Sequence, residues 1–165
     1  MSKRNFLIGV RLFFGLVTLA AIGTQLILHV QSGFNVVNFF SYFTNLSNIF
    51  AAVVMIVAAI SLLRHRQPTA TDDIIRGTSV VCMALVGIIF SVLLRGADLG
   101  ALLPWVNILT HYVMPIVVVL DWLYQPPQSN LAVKQDSLLA DLPAALPGLF
   151  DYPRHNRGIL CIPIL

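Results

Sequence analysis

The chain has 165 residues, of which 58% are hydrophobic and only 10% are charged, and its mean hydropathy is +0.85. A soluble domain of this length could not bury so much apolar surface, so we predict an integral membrane protein of the all-α class. The net charge of +3 comes from Lys and Arg at the ends of apolar segments, without a basic stripe. We therefore expect no nucleic acid partner.

Four apolar segments follow one another, at about residues 6–30, 37–63, 75–94 and 102–124. Each approaches or exceeds the roughly 20 residues that a helix needs to cross a bilayer core about 30 Å thick. The first segment is longer than a typical signal peptide core, and no clean small-x-small cleavage site precedes Gln25, so we expect it to stay attached. Residues 1–124 are thus predicted to form a polytopic transmembrane bundle of four helices.

The positively charged residues that flank three of these segments fall on one side of the membrane. They are Lys3, Arg4, Arg64, Arg66 and Arg76. The loop over residues 31–36 has no charge, and the loop between the third and fourth segments has Arg95 with Asp98. Because Lys and Arg concentrate in cytoplasmic loops, we predict a multi-pass protein of the inner (plasma) membrane with a cytoplasmic N-terminus.

After Tyr124 the run QPPQSN breaks the helix, and no later apolar run is long enough to span. We predict that residues 125–165 form an irregular, Pro-rich cytoplasmic tail. If the codons for Ala140 to Ile164 are read one nucleotide later, the degenerate code permits a fifth apolar helix. We hypothesise that the tail is frame-shifted from further helices, which sequencing of the gene around codon 139 tests.

Cysteine and histidine spacing gives no sign of a metal site. Cys82 and Cys161 lie far apart without CxxC spacing, which indicates two unpaired thiols. The four histidines lack HExxH or another ligand spacing. We therefore predict no metal and no cofactor.

The stretch FFSYFTNLSNIF, residues 39–50, places five hydrogen-bonding side chains inside an apolar run. They are Tyr42, Thr44, Asn45, Ser47 and Asn48. On a helix, Thr44 and Ser47 lie within one turn of each other, as do Asn45 and Asn48. An unsatisfied polar group in hydrocarbon is costly, so this arc is expected to face other helices.

The fourth segment contains a comparable patch, NILTHYVMP, in which Asn107 and His111 share one helical face. Pro115 lies four residues after His111 and cannot donate to the carbonyl of that residue. The helix is expected to kink there and to leave that carbonyl oxygen free. A free acceptor beside the histidine could orient its ring.

Thr44 and His111 lie about seven and nine residues past the predicted starts of two helices that both run inward from the outer face. At about 1.5 Å per residue, both are expected roughly 10–14 Å deep in the membrane, and thus at one level. A hydroxyl beside an imidazole is the minimal arrangement for an activated nucleophile. The alternative is that Thr, Ser, Asn and His only hold membrane helices together, which is the commoner role of such residues.

Other polar and aromatic residues are assigned structural roles. Arg11 and Asp121 both lie toward the cytoplasmic side and either form an ion pair or extend separately to the interface. Trp105, Trp122 and Tyr124 are typical of interfacial anchors.

FFSYFTNLSNIF and NILTHYVMPIVVVLDWL resemble the bacterial integral membrane family called Pr-six-Pr, over about residues 5–139. That family is distantly similar to the eukaryotic androgen-induced-gene family, whose members hydrolyse fatty acid esters of hydroxy fatty acids with an intramembrane threonine and histidine. The resemblance implies that these two residues are Thr44 and His111. The bacterial family continues into further membrane helices, where this chain has its Pro-rich tail.

We therefore expect an intramembrane threonine hydrolase of lipid esters, with Thr44 as nucleophile and His111 as general base and then acid. Asn45, Asn48 or Asn107 would orient the histidine or donate to the oxyanion. The expected partners are membrane lipids, including a lipid-ester substrate; the oligomeric state is left open. The alternative is a non-enzymatic bundle, either a small carrier or a helix-packing partner in a complex. A carrier is disfavoured by the lack of an internal repeat.

Overall fold

The computed structural model describes residues 3–94 and 103–128, which lie within the first of two compact units, Met1–Ser129. The second unit, Asn130–Leu165, lies outside the described residues, and so does the frame-shift hypothesis. The helices of the first unit are α1 (Lys3–Gln31), α2 (Val36–Ser41), α3 (Phe43–Leu63), α4 (Ala70–Ile89), α5 (Pro104–Ile108) and α6 (Met114–Tyr124). Two π-helical turns, Phe90–Leu94 and Leu109–Val113, follow α4 and α5.

Four continuous helical spans are long and apolar enough to cross a membrane: Lys3–Gln31, Phe43–Leu63, Ala70–Leu93 and Pro104–Tyr124. The part of the chain that the structure describes contains no strand. The prediction of an all-α transmembrane bundle is therefore confirmed.

The second span begins later than the sequence predicted, because the helix breaks at Tyr42. This residue is extended, with φ −76° and ψ 120°, and separates the short α2 from α3. The side-chain amide of Asn45 donates to the Phe39 carbonyl oxygen at 2.9 Å. Part of the polar run therefore satisfies backbone groups that the break exposes.

The third span begins five residues earlier than predicted, at Ala70. Thr69 and Asp72 form a capping box: the Asp72 N–H donates to the Thr69 hydroxyl, and the Thr69 N–H donates to the Asp72 carboxylate at 2.8 Å. This reciprocal cap satisfies N–H groups of the first turn. As a result, Asp73 and Arg76 belong to a buried helical face rather than to a loop.

The spans pack as an up-down four-helix bundle. α1 packs on α3, α3 on α4, and α4 on α6, while α1 also contacts α5 and α6 and so closes the ring. The centre is filled by apolar side chains, mostly methionine, alanine and valine. The cluster comprises Ala21, Ala51, Met55, Met83, Val106, Leu109, Met114 and Val118.

Gly15 sets how closely α1 approaches α3, so we predict that Gly15→Ala destabilises the bundle. An added Cβ would lie 2.7 Å from Ile56 Cγ1 and 3.1 Å from the Ala52 carbonyl oxygen. Overpacking of this kind costs about 1–3 kcal/mol, measured as a lower unfolding midpoint in detergent.

Gly9→Ala is the matched control, because nothing lies within 4 Å of its added Cβ and alanine is the better helix former. Equal unfolding midpoints for the two variants would contradict this packing.

Candidate functional site

His111 lies in the π-helical turn Leu109–Val113, directly before α6, and its side chain is buried. Pro115 follows within the first turn of α6 and has no N–H, and a π-helical turn is one way in which a helix adapts to such a defect. The imidazole Nδ1 lies 3.1 Å from the Asn107 carbonyl oxygen and 3.1 Å from the Thr110 hydroxyl. The acceptor beside the imidazole is thus the carbonyl of Asn107, and not the carbonyl of His111 itself, which the sequence predicts to be free.

This contact specifies the protonation of the ring. A carbonyl oxygen only accepts, so a hydrogen bond with Asn107 requires the proton on Nδ1 of His111. In the neutral ring, Nε2 then carries the lone pair, and it has no hydrogen-bond partner among residues 3–94 and 103–128. In this tautomer Nε2 is therefore the ring atom that could accept a hydrogen bond or a proton.

Phe90, at the start of the π-helical turn that follows α4, fixes the plane of the imidazole. Its ring stacks on His111 with 3.9 Å between centroids and 29° between planes. Gly87 lies one turn earlier, where an added Cβ would come within 3.0 Å of Pro115 Cβ. The lack of a side chain at Gly87 therefore permits the close approach of α4 that brings Phe90 to the histidine. Nothing in the sequence pattern distinguishes Phe90 from the other apolar residues around it.

Asn48 joins α3 to the fourth span beside His111. Its fully buried amide nitrogen donates to the carbonyl oxygens of Thr44, at 2.9 Å, and Thr110, at 3.2 Å. Its Oδ1 is buried and has no partner in the described part of the chain. Asn48 therefore supplies both a structural tie and one free acceptor at this level.

Two further buried oxygens lack a partner within the described ranges: Asn107 Oδ1 and Thr18 Oγ1. Asn107 lies one turn from His111. Gly15 of α1 faces Ala52 of α3. Thr18 lies one turn from Gly15 and Asn48 one turn from Ala52, so in these antiparallel helices Thr18 is near the level of Asn48. Three helices thus place unpaired buried oxygens within about one turn of the level of His111. We call this group the histidine layer (Thr18, Asn48, Asn107 and His111).

Thr44 lies at the edge of this layer. It is half-buried in the first turn of α3, and its hydroxyl makes no hydrogen bond to any described residue. Because Asn48 contacts Thr110 and Thr44 lies one turn away from Asn48, the hydroxyl is about 6 Å above that level. Thr44 therefore lies about one turn from the level of His111, and no hydrogen bond joins the two residues. Asn45 is engaged at the helix break.

The opposite half of the bundle contains a network of buried charges. Arg11 donates to both carboxylate oxygens of Asp121, at 2.7 and 2.9 Å, and to Gln125 Oε1 at 2.8 Å. Arg76 donates to Asp121 at 3.3 Å and to the Gln125 carbonyl at 2.9 Å. The ion pair between Arg11 and Asp121 is the first of the two predicted alternatives. Sequence reasoning does not predict this role of Arg76, because the role depends on how α4 packs against α6.

Within residues 3–94 and 103–128, no group of three or more His, Cys, Asp or Glu side chains could hold a metal ion. A scan against protein-family models, a search of curated proteins and a search of solved structures each found no match to this chain. Function is therefore argued from the geometry of the site, and the family resemblance stays a prediction.

We predict that Asp121→Asn strongly destabilises the protein. The substitution leaves Arg11 and Arg76, both buried, without the carboxylate that they share. Removing one partner of a buried pair costs about 3–5 kcal/mol, measured by unfolding in detergent.

Arg66→Gln is the control, because it breaks an ion pair with Asp72 in which Arg66 is 48% exposed. An exposed pair contributes about 0–1 kcal/mol. If Asp121→Asn proved as mild as this control, the buried network would not stabilise the bundle.

Proposed function

We propose that this protein is an intramembrane hydrolase of lipid esters, with Thr44 as nucleophile and His111 as general base. The observation that carries the proposal is the buried imidazole of His111, whose Nδ1 lies at the Asn107 carbonyl and whose Nε2 has no partner among the described residues. The resemblance to the Pr-six-Pr family, and through it to intramembrane ester hydrolases, points to the same pair.

The reaction would proceed through an acyl-threonine. His111 Nε2 takes the proton of the Thr44 hydroxyl while Oγ1 attacks the ester carbonyl carbon. Collapse of the tetrahedral oxyanion breaks the bond to the alkoxy oxygen, which leaves as an alcohol with the proton from His111. A water molecule then attacks the acyl carbon while His111 takes its proton. Collapse of this second tetrahedral intermediate breaks the bond to Thr44 Oγ1, which receives the proton back from His111, so that a fatty acid leaves and both residues are regenerated.

The catalytic arrangement requires Thr44 to approach His111. Thr44 is well situated for this movement, because its hydroxyl is not hydrogen-bonded to any described residue and the helix break at Tyr42 is adjacent. Catalytic hydrogen bonds often tighten only when substrate binds. Among the three asparagines, Asn107 is the preferred oxyanion donor, because its amide nitrogen makes no hydrogen bond to a described residue. The amides of Asn45 and Asn48 already donate to backbone carbonyls and would have to give up one of those bonds.

A second candidate is a non-enzymatic bundle that packs within a membrane complex or carries a small solute. The observation that favours it is that the amides of Asn45 and Asn48 both donate to backbone carbonyls. Polar side chains in this role act as ties between helices. In that case, substitutions in the histidine layer would lower stability and affect no reaction.

We predict that Thr44→Ala and His111→Ala each lower the hydrolysis of a fluorogenic long-chain ester in proteoliposomes by at least about 100-fold, because general base catalysis contributes that much or more. Thr24→Ala is the matched control, since the Thr24 hydroxyl bonds only to the Ala20 carbonyl on an exposed face.

Unfolding of the same variants separates the two candidates. The hydrolase requires Thr44→Ala to unfold like the unsubstituted protein while losing turnover. Retained turnover in Thr44→Ala would exclude this nucleophile, and loss of stability without any measurable turnover would favour the packing role.

A further inference from the structure

A cavity of about 250 Å³ lies between α3 and α4, apart from the histidine layer. Most of its wall is apolar and comes from one face of α3. These residues are Phe50, Val53, Val54, Val57, Ala58 and Leu62. Val53 and Val57 are about half exposed on the lipid-facing surface, so the cavity is accessible from the side of the bundle. The shape suits an apolar chain that enters from the bilayer.

The dimensions of the cavity limit what it can hold. From Phe50 to Leu62 the wall follows α3 for about 18 Å, which is over half of the bilayer core. Its volume is below the roughly 300–1,000 Å³ of pockets that enclose drug-sized ligands. One extended acyl chain is therefore a better match than two chains or a bulky ring system.

Cationic groups line one end of the cavity. Arg66 is at the mouth, and Arg76 and Arg11 lie deeper, with Asp72 as the only acidic lining residue among those described. One nitrogen of Arg66, Nη2, donates to Ser61 at 3.1 Å and to Asp72 at 2.8 Å. Its Nε and Nη1 bond to no described residue, so the outer edge of the guanidinium is available to an anion.

The carboxylates that pair with Arg11 and Arg76 lie outside the wall of the cavity. Asp121 bonds to both Arg11 and Arg76, and Asp73 lies 3.7 Å from Arg76, but neither aspartate lines the cavity. An occupant would therefore meet three guanidinium groups and one carboxylate.

The same end of the bundle has an excess of positive charge. We call it the charged end: the start of α1, the end of α3, the α3–α4 loop, the start of α4 and the end of α6. The described residues with positive charge there are Lys3, Arg4, Arg11, Arg64, Arg66 and Arg76, against Asp72, Asp73 and Asp121. Six cations and three anions leave an excess of three. Such clusters attract anionic phospholipids of the adjoining leaflet, which are abundant on the predicted cytoplasmic side.

We propose that this cavity binds one anionic phospholipid, with an acyl chain along α3 and the phosphate at Arg66, supported from deeper in the bundle by Arg76. A phosphate is favoured over a carboxylate because it arrives at headgroup depth, where Arg66 lies, and offers several oxygens to a guanidinium. The site is independent of ester hydrolysis at the histidine layer.

Native mass spectrometry of the delipidated full chain tests the headgroup, with phosphatidylglycerol and phosphatidylcholine of identical acyl chains as probes. We expect phosphatidylglycerol to bind at least about fivefold more tightly than phosphatidylcholine. Arg66→Gln should weaken the binding of phosphatidylglycerol by about the same factor. Arg64→Gln is the matched control, because Arg64 is exposed near the same loop but does not line the cavity. Equal losses in the two variants, or no preference for phosphatidylglycerol, would overturn the proposal.

A second set of variants tests the chain and the source of the anion. Ala58→Leu and the more exposed Val57→Phe fill the cavity, and either variant that unfolds normally should bind phosphatidylglycerol several-fold more weakly. Unchanged binding in a folded variant would exclude the cavity as the chain site. Displacement of phosphatidylglycerol by an equal concentration of oleate would mean that the site recognises a carboxylate rather than a phospholipid.

Discussion

The bidentate pair between Arg11 and Asp121 joins the first span to the fourth and closes the ring of helices at the charged end. In hydrocarbon neither charge could remain without a partner, so this pair restricts how α1 and α6 can sit. Arg76 adds α4 to the same carboxylate, and Gln125 accepts from both arginines. At the other end, Gln25 accepts from the Leu103 N–H at 3.1 Å, which ties α1 to the start of the fourth span.

The irregular segments of the helices lie toward the same end of the bundle as His111. The break at Tyr42, the turn Phe90–Leu94 and the turn Leu109–Val113 all lie at the end of the bundle opposite the charges. Irregular backbone inside a membrane is tolerated where protein surrounds it, and π-helical turns frequently occur at functional sites. The break at Tyr42 ends the regular helix just before Thr44. The two π-helical turns contain Phe90 and His111, whose rings are in stacking contact.

The sequence predicted the spans well because length and hydropathy decide them, but it missed what single side chains do. Asn45 could not be recognised as a cap for α2, because the Phe39 carbonyl is exposed only by the break at Tyr42, and no Gly or Pro marks that break in the sequence. Thr69 and Asp72 form a capping box that is readable in the sequence, and it places Arg76 in the second turn of the helix instead of at its start. Asn48 was expected to face inward and does so, but its bond to Thr110 depends on the packing of two distant spans.

The proposed hydrolysis depends on activation of the Thr44 hydroxyl by His111. This activation can be measured by labelling with a fluorophosphonate probe in membranes, followed by peptide mass spectrometry of the modified site. We expect an adduct on Thr44 that disappears in a folded His111→Ala variant. An adduct on another residue, or no labelling of the folded protein, would contradict it and leave the histidine layer as a tie between helices.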